Sequence, residues 1–300
     1  MKHAYEHDVT SPGAAAEELR SRMASADKIL VGAGAGLSAA AGLSYFDHDV
    51  FRTYFPEMAA RGYHFQYELV GMSDDDWSPG RKWAYWSTHI HYVRSVFPQA
   101  PLYTRLLEVL SGTDYFVVTS NADRQFMRAG FPEQRLFEFQ GHYDNMGCSA
   151  GCPETWIGLE DLEIARTHID HETFEVPAEY IPRCPRCGAP AEICFRGSDY
   201  RTHLDRYVAF VENCRDSRLL LIELGVGFNT PGVIRWPFER ITRAFPDAYL
   251  VRVNAGYREP GYDRGHIEYP RDLEGRISVY DTDAAEVIDM LHASLRGSQA

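Results

Sequence analysis

Four of the six cysteines fall in two close pairs, Cys148-x3-Cys152 and Cys184-x2-Cys187, with 31 residues between the pairs. Four thiolates around one ion close a tetrahedral sulfur site that suits structural zinc and leaves no coordination position open for catalysis. Spacing therefore predicts a zinc ion held by Cys148, Cys152, Cys184 and Cys187, with four unrelated thiols as the alternative. Cys194 and Cys214 lie at no ligand spacing and read as inert thiols. A second pattern is 32-GAGAGLSAAAG-42, which comes directly after the apolar run Lys28-Ile29-Leu30-Val31. Glycines between a strand and a helix let backbone approach a pyrophosphate, and the helix start offers N–H donors, so a dinucleotide is the natural ligand. The same glycines could serve only tight strand–helix packing.

Three further strand ends carry small or amide residues: 119-TSNAD-123, Gly225-x-Gly227 within 223-ELGVGFNTP-231, and Asn254 after 250-LVRV-253. Ligands of doubly wound sheets lie beyond the carboxyl ends of strands, where Asn121 and Asp123 could read a carboxamide or ribose hydroxyls. A plain turn and helix cap is the other reading of Asn121-Ala122-Asp123.

Positioning these residues requires strands. The runs 28–31, 115–119, 219–224 and 248–253 are β-rich and do not alternate, as strands buried on both faces should be. Stretches with apolar spacings of three and four (14–26, 101–110, 235–245 and 282–295) separate them as helices, so the pattern predicts an α/β fold with a Rossmann-like, doubly wound parallel sheet. Two regions interrupt the alternation. Residues 46–97 are rich in aromatics and read as a helical insertion over the glycine loop, with Trp83, Tyr85, Trp86, Tyr92 and Phe97 expected in a core rather than along a channel. Asp74 to Asp76 read as a solvated turn within it. Residues 146–194 hold the cysteine pairs and little core-forming sequence of their own, and read as a small zinc-binding module set into a domain made of 14–145 and 195–300.

Composition narrows the function. With 30 Lys+Arg against 43 Asp+Glu the net charge is −13, which argues against nucleic acid or an anionic membrane as the main partner. No signal peptide or membrane span is expected, and paired thiols in a non-secreted chain point to a reducing cytoplasm.

Gly34-Ala35-Gly36-Leu37-Ser38, then TSNAD, then Gln140-Gly141, then two cysteine pairs, then a GVG and a VN strand end: in this order the chain resembles a sirtuin from about Lys28 onward. The resemblance implies an NAD-binding Rossmann-like domain, an inserted small zinc domain, and cleavage of the nicotinamide–ribose bond in the cleft between them. Position by position it implies that Gly34, Ala35, Gly36 and Ser38 form the phosphate loop, that Asn121 and Asp123 flank the nicotinamide and its ribose, that Gly225, Gly227, Asn229 and Asn254 contact the adenosine side, and that the four cysteines bind zinc. Two departures stand out. Deacylating sirtuins carry a His general base where this chain has Gln140, an amide with no accessible pKa near neutrality. Their Pro-Asp-Phe-Arg run is replaced by Ser44-Tyr45-Phe46-Asp47. His142, two residues on, is not expected to substitute as the base.

Taken together these features resemble the microbial class M, or macrodomain-linked, sirtuins. That resemblance implies an NAD-dependent protein mono-ADP-ribosyltransferase with Asn121, Asp123 and Gln140 as its catalytic set, NAD as co-substrate and structural zinc. It further implies a protein acceptor, a lipoyl-carrier protein among the candidates, and a separate macrodomain hydrolase as partner. An NAD-dependent lysine deacylase, an NAD glycohydrolase and a non-catalytic NAD-binding sensor are the rival readings.

Overall fold

The unalternating apolar runs form the middle of one parallel sheet because each must be covered on both faces. The structure, a computed structural model, describes residues 10–70, 77–228, 230–255, 258–259, 262–263 and 270–297. Its strands are β1 (Lys28–Ala33), β2 (Tyr115–Thr119), β3 (Leu136–Glu138), β4 (Asn145–Cys148), β5 (Trp156–Ile157), β6 (Ala191–Ile193), β7 (Leu219–Leu224), β8 (Tyr249–Val253), β9 (Arg258–Glu259), β10 (Tyr262–Asp263) and β11 (Ile277–Tyr280). Six of them form the main sheet in the order β11-β8-β7-β1-β2-β3, every neighbouring pair parallel. From β1 the chain first builds outward through β2 and β3, then returns to place β7 on the other side of β1. The switch in winding therefore lies between β1 and β7, the place where doubly wound sheets bind their ligands beyond the strand ends.

The helices are α1 (Pro12–Ser25), α2 (Ala35–Ala40), α3 (His48–Tyr54), α4 (Pro56–Ala60), α5 (Gln66–Val70), α6 (Pro79–His91), α7 (Pro101–Leu110), α8 (Gln125–Arg128), α9 (Leu159–Thr167), α10 (Tyr200–Glu212), α11 (Arg235–Ala244) and α12 (Ala284–Gly297). Leu19 of α1, Leu106 of α7 and Val287 of α12 cover one face of the sheet. Leu204 and Tyr207 of α10 and Phe238 of α11 cover the other. Local chemistry starts two of these helices where it should: Ser11 and Ser78 each accept a backbone N–H (from Ala14 and Arg81, both at 3.2 Å) ahead of a proline at the first turn.

The two interruptions pack on one another. Phe51, Phe55, Trp83, Tyr85 and Tyr92 from the helical insertion share one buried cluster with Met146, Leu162, Phe174 and Val176 from the cysteine-bearing region. The sparse apolar residues of 146–194 thus find their core in the aromatic insertion, with α9 lying against α6. The antiparallel sheet β5-β4-β6 carries the cysteine-bearing loops at its edge. The acidic turn at Asp74 to Asp76 lies outside the described residues, and no helix among the described residues is long and apolar enough to cross a membrane.

Two charges within the apolar runs pair with each other. Glu223 of β7 and Arg252 of β8 stand opposite in register, both fully buried, and Arg252 donates to Glu223 from Nε (2.6 Å) and Nη2 (3.1 Å) and to Glu239 of α11 (2.9 Å). Removing the cation would strand two carboxylates in the core. Arg252→Met is expected to lower unfolding free energy by about 3–5 kcal/mol in urea titration, and the triple exchange Glu223→Leu, Arg252→Met, Glu239→Leu to recover most of it.

Candidate functional site

At the winding switch the loops after β1 and β7 touch backbone to backbone. A Cβ on Gly34 would lie 2.6 Å from the Gly225 carbonyl oxygen, and one on Gly36 2.7 Å from Gly225 Cα. Gly225 itself has a φ of +63°, and a Cβ there would meet the Leu37 nitrogen at 2.1 Å. Two hydrogen bonds seal the contact, Gly34 N–H to Leu224 O (3.0 Å) and Gly36 N–H to Gly225 O (2.9 Å). These three glycines are thus required for packing whether or not a phosphate lies above them. Ala35 and Gly227 are on the open side, and nothing lies within 4 Å of a Cβ built on Gly227. Asn254 is half-buried at the end of β8, and its N–H donates to Tyr280 O (3.1 Å). Asn229 lies outside the described residues.

Directly below the loop is a buried polar network. Ser38 Oγ–H donates to Asp123 Oδ2 (2.6 Å), and Asn121 Nδ2 donates to Ser38 Oγ (3.0 Å) and Gly34 O (3.0 Å). The Tyr103 hydroxyl lies 3.0 Å from Ser38 Oγ, and Asp123 Oδ1 accepts the Gln125 N–H (2.9 Å), capping α8. Ser38, Asn121 and Asp123, named from sequence, are thus brought together, with Tyr103 as a fourth member hidden among the apolar positions of α7. Burial pushes the Asp123 carboxyl above its ordinary range despite the Ser38 hydrogen bond, which acts the other way.

Gln140 follows β3 in a turn rather than a strand, and it is half-buried. The turn is fastened on two sides. Phe139 N–H donates to Thr119 O (2.8 Å) and Tyr143 N–H to Ala122 O (3.3 Å), tying it to the Asn121–Asp123 segment. Across from them His142 N–H donates to Phe195 O (2.8 Å). Gly141, at φ +81°, passes so close to Phe195 that a Cβ would lie 1.8 Å from its oxygen. The His142 ring is buried with Nε2 3.2 Å from Asn145 Nδ2, and burial pushes its pKa down to about 4. It lines a cavity of about 110 Å³ at the outer edge of β3, with Arg124, Glu138, Tyr200 and His203 and no residue of the glycine loop.

Charged residues unforeseen from sequence surround this turn. Arg94 pairs with Asp144 through Nε (2.6 Å) and Nη2 (3.0 Å), and Arg124 pairs with Glu138 (2.7 Å) and faces Asp144 at 3.5 Å. Arg124 adopts left-handed backbone (φ +63°) to do so. Burial raises Glu138 to about 7, overriding the nearby Arg124. In the other lobe the four predicted cysteines converge, their sulfurs all within 4.8 Å of one another and Cys148 Sγ 3.5 Å from Cys187 Sγ. A tetrahedral zinc with sulfurs at about 2.3 Å separates them by about 3.8 Å, so the cage fits the ion.

No family model matches the chain. A protein ADP-ribosyltransferase of Staphylococcus aureus is 31% identical over 258 residues, spanning 82% of this chain and 80% of that protein. A probable bifunctional ADP-ribose hydrolase/ADP-ribosyltransferase of Fusarium oxysporum f. sp. cubense is 35% identical over 288 residues, 91% of this chain, which spans about half (47%) of that protein's length. Among solved structures, a Sir2 homologue–NAD complex superposes with a TM-score of 0.59 at 17% identity, covering 100% of this chain and 98% of its own. An ADP-ribose complex of a mutant Sir2 homologue superposes equally well (0.59, 18% identity, 94% of this chain and 97% of its own). At such identities the likeness establishes the fold. This chain belongs to the sirtuin-type ADP-ribosyltransferases. Membership makes it a transferase, and its four-cysteine cage is compatible with structural zinc.

Metal loss and pH should each leave a measurable mark on this sirtuin. Because the cysteine-bearing region and the insertion share a core, the chain is expected to carry one zinc per molecule, and chelation or Cys184→Ala to remove it and lower the thermal midpoint, read by metal analysis and calorimetry on the same samples. The raised Glu138 pKa means that protonation favours the folded state. Its contribution is fully present below pH 4.5 and is lost as pH rises to about 7. Glu138→Gln is expected to flatten the unfolding free energy across that window by up to about 1.4 kcal/mol per pH unit relative to the parent chain.

Proposed function

We propose that this sirtuin transfers one ADP-ribosyl group from NAD to a nucleophilic side chain of a protein acceptor, releasing nicotinamide and a proton. What supports this most is the pairing of an intact Ser38–Asn121–Asp123 network with Gln140 where deacylating sirtuins place a His base. NAD supplies the nicotinamide–ribose bond, whose cleavage leaves the ribose carbon open to the acceptor. In this reading Gly34, Ala35 and Gly36 approach the pyrophosphate, with Gly225, Gly227, Asn229 and Asn254 toward the adenosine. Asn121 orients the carboxamide and ribose. Asp123, both of whose oxygens accept hydrogen bonds from the protein, holds Ser38 and the start of α8 in place for it. The Gln140 amide donates and accepts without titrating near neutrality, which suits orienting a ribose hydroxyl or the acceptor. Departure of nicotinamide depends on positioning and on fixed dipoles, and no strong base is needed for it.

The acceptor in this proposal is a lipoylated carrier protein, and a separate macrodomain hydrolase reverses the modification; both rest on the class M resemblance alone. The zinc module at 146–194, set into the NAD-binding domain of 14–145 and 195–300, forms the far wall of the cleft, and four reduced thiolates suit the cytoplasm. The test is intact-mass spectrometry on a lipoylated carrier and on an acetyl-lysine protein, each incubated with the chain and NAD. One added ADP-ribosyl group on the carrier, lost at least 100-fold in rate with Asn121→Ala, is the expected result. Loss of the acetyl group without transfer would overturn the reading, and free ADP-ribose with neither protein modified would replace it by glycohydrolysis.

A further inference from the structure

Between α6 and α7 the chain makes one wide turn, a π-helix over Tyr92–Val96 closed by Phe97 N–H donating to Tyr92 O five residues back (2.7 Å). Such turns rotate the downstream chain around the helix axis by roughly one residue's rotation, about 100°, and recur at functional sites. Here the turn delivers Arg94 out of the insertion and into the sheet domain. Its guanidinium is nearly buried, forks onto Asp144 and donates from Nη1 to the carbonyl oxygen of Asp123 (3.3 Å). One side chain therefore touches the segment that carries Asn121 and Asp123 and the turn that carries Gln140. The exit of the wide turn is tied to the same segment. Arg128 donates to Phe97 O (3.0 Å), Gln125 Nε2 to Pro98 O (3.2 Å), and Ala100 N–H to Gln125 Oε1 (3.0 Å).

We propose that Arg94 is a positioning residue, which fixes the Asn121–Asp123 segment and the 139–144 loop that carries Gln140 in one mutual geometry from the end of the helical insertion. The proposal rests on the NAD-cleaving reading above. A planar fork is required, because a lysine keeps the charge but cannot bridge both carboxylate oxygens and a carbonyl at once. Asp144, the partner four residues after Gln140 in the same loop, shares the task and should show the same loss.

Arg94→Lys, Arg94→Met, Asp144→Asn and the Lys/Asn double variant test this. Calorimetry gives NAD affinity, nicotinamide release gives kcat and KM, and hydrogen exchange reads segments 119–124 and 139–145. For Arg94→Lys the expected result is an NAD Kd within threefold of the parent, kcat at least tenfold lower, and exchange in both segments at least tenfold faster. Asp144→Asn should match it, and the double variant should add less than twofold. A role in bulk stability alone would lower the unfolding midpoint and leave kcat, KM and local exchange untouched. Parental kcat and exchange in Arg94→Lys would overturn the proposal, and this variant decides should Arg94→Met fail to fold. If the parent chain binds NAD yet releases no nicotinamide, the NAD-cleaving reading fails, and the exchange rates still decide whether Arg94 fixes the two segments.

Discussion

Everything at the candidate site hangs from the contact between the loops that leave β1 and β7. Gly34 and Gly36 meet Gly225 so closely that neither side has room for a methyl group, and the two strands can then be neighbours to their very ends. This places Ser38 over the end of β2, within reach of Asn121 and Asp123, and it leaves Ala35 and Gly227 at the surface of the crevice. A bulkier residue at any of the three would shift α2 outward and separate Ser38 from both partners. The polar network is therefore a consequence of a steric fit.

From that fixed point the constraints run outward through hydrogen bonds. Thr119 Oγ1 donates to Ala33 O (2.9 Å) and accepts the Asn121 N–H (3.0 Å), so the end of β2 is registered to β1 before any side chain reaches the crevice. Tyr143 and Phe139 then register the Gln140 turn to β2, and Phe195 registers the connection into α10 to that turn. Each link is short and mostly backbone, so the amide of Gln140 and the amide of Asn121 share one rigid frame although nineteen positions separate them. Burial pushes the Asp123 carboxyl above its ordinary range, and its hydrogen bond from Ser38 is made in a poorly solvated setting where such a bond is strong.

Much of this was legible from residue patterns. The runs 115–119 and 219–224 and the helical stretch 101–110 coincide with β2, β7 and α7, because buried parallel strands and a strongly amphipathic helix carry dense local signals. The short strand β3 gave no such signal, since three residues at a sheet edge have no period to read. The helix α10 interleaves Leu204, Tyr207 and Val211 with charges and buries none of its residues fully, which blurs its face. Glu223 and Arg252 are each a lone charge in an apolar run along the sequence, and only their register makes them a pair. The cysteine cage was readable because ligand chemistry imposes spacing. The glycines were readable too, but for a phosphate approach, whereas their first requirement is contact with another loop. The Arg94 fork was not readable at all, because it depends on a wide turn and on partners up to fifty residues away.

The common core of the aromatic insertion and the zinc-bearing region also sets an order of events during synthesis. Phe51, Phe55, Trp83 and Tyr85 leave the ribosome well before Met146, Leu162, Phe174 and Ala191, which cover them. At about 5–20 residues per second the insertion waits roughly 5–20 s for the second half of its core and for the last two cysteines of the cage, Cys184 and Cys187. Through that interval an aromatic surface stands unpartnered on the nascent chain, so the yield of folded protein depends on how fast residues 98–191 are translated and on whether zinc is at hand when Cys187 emerges.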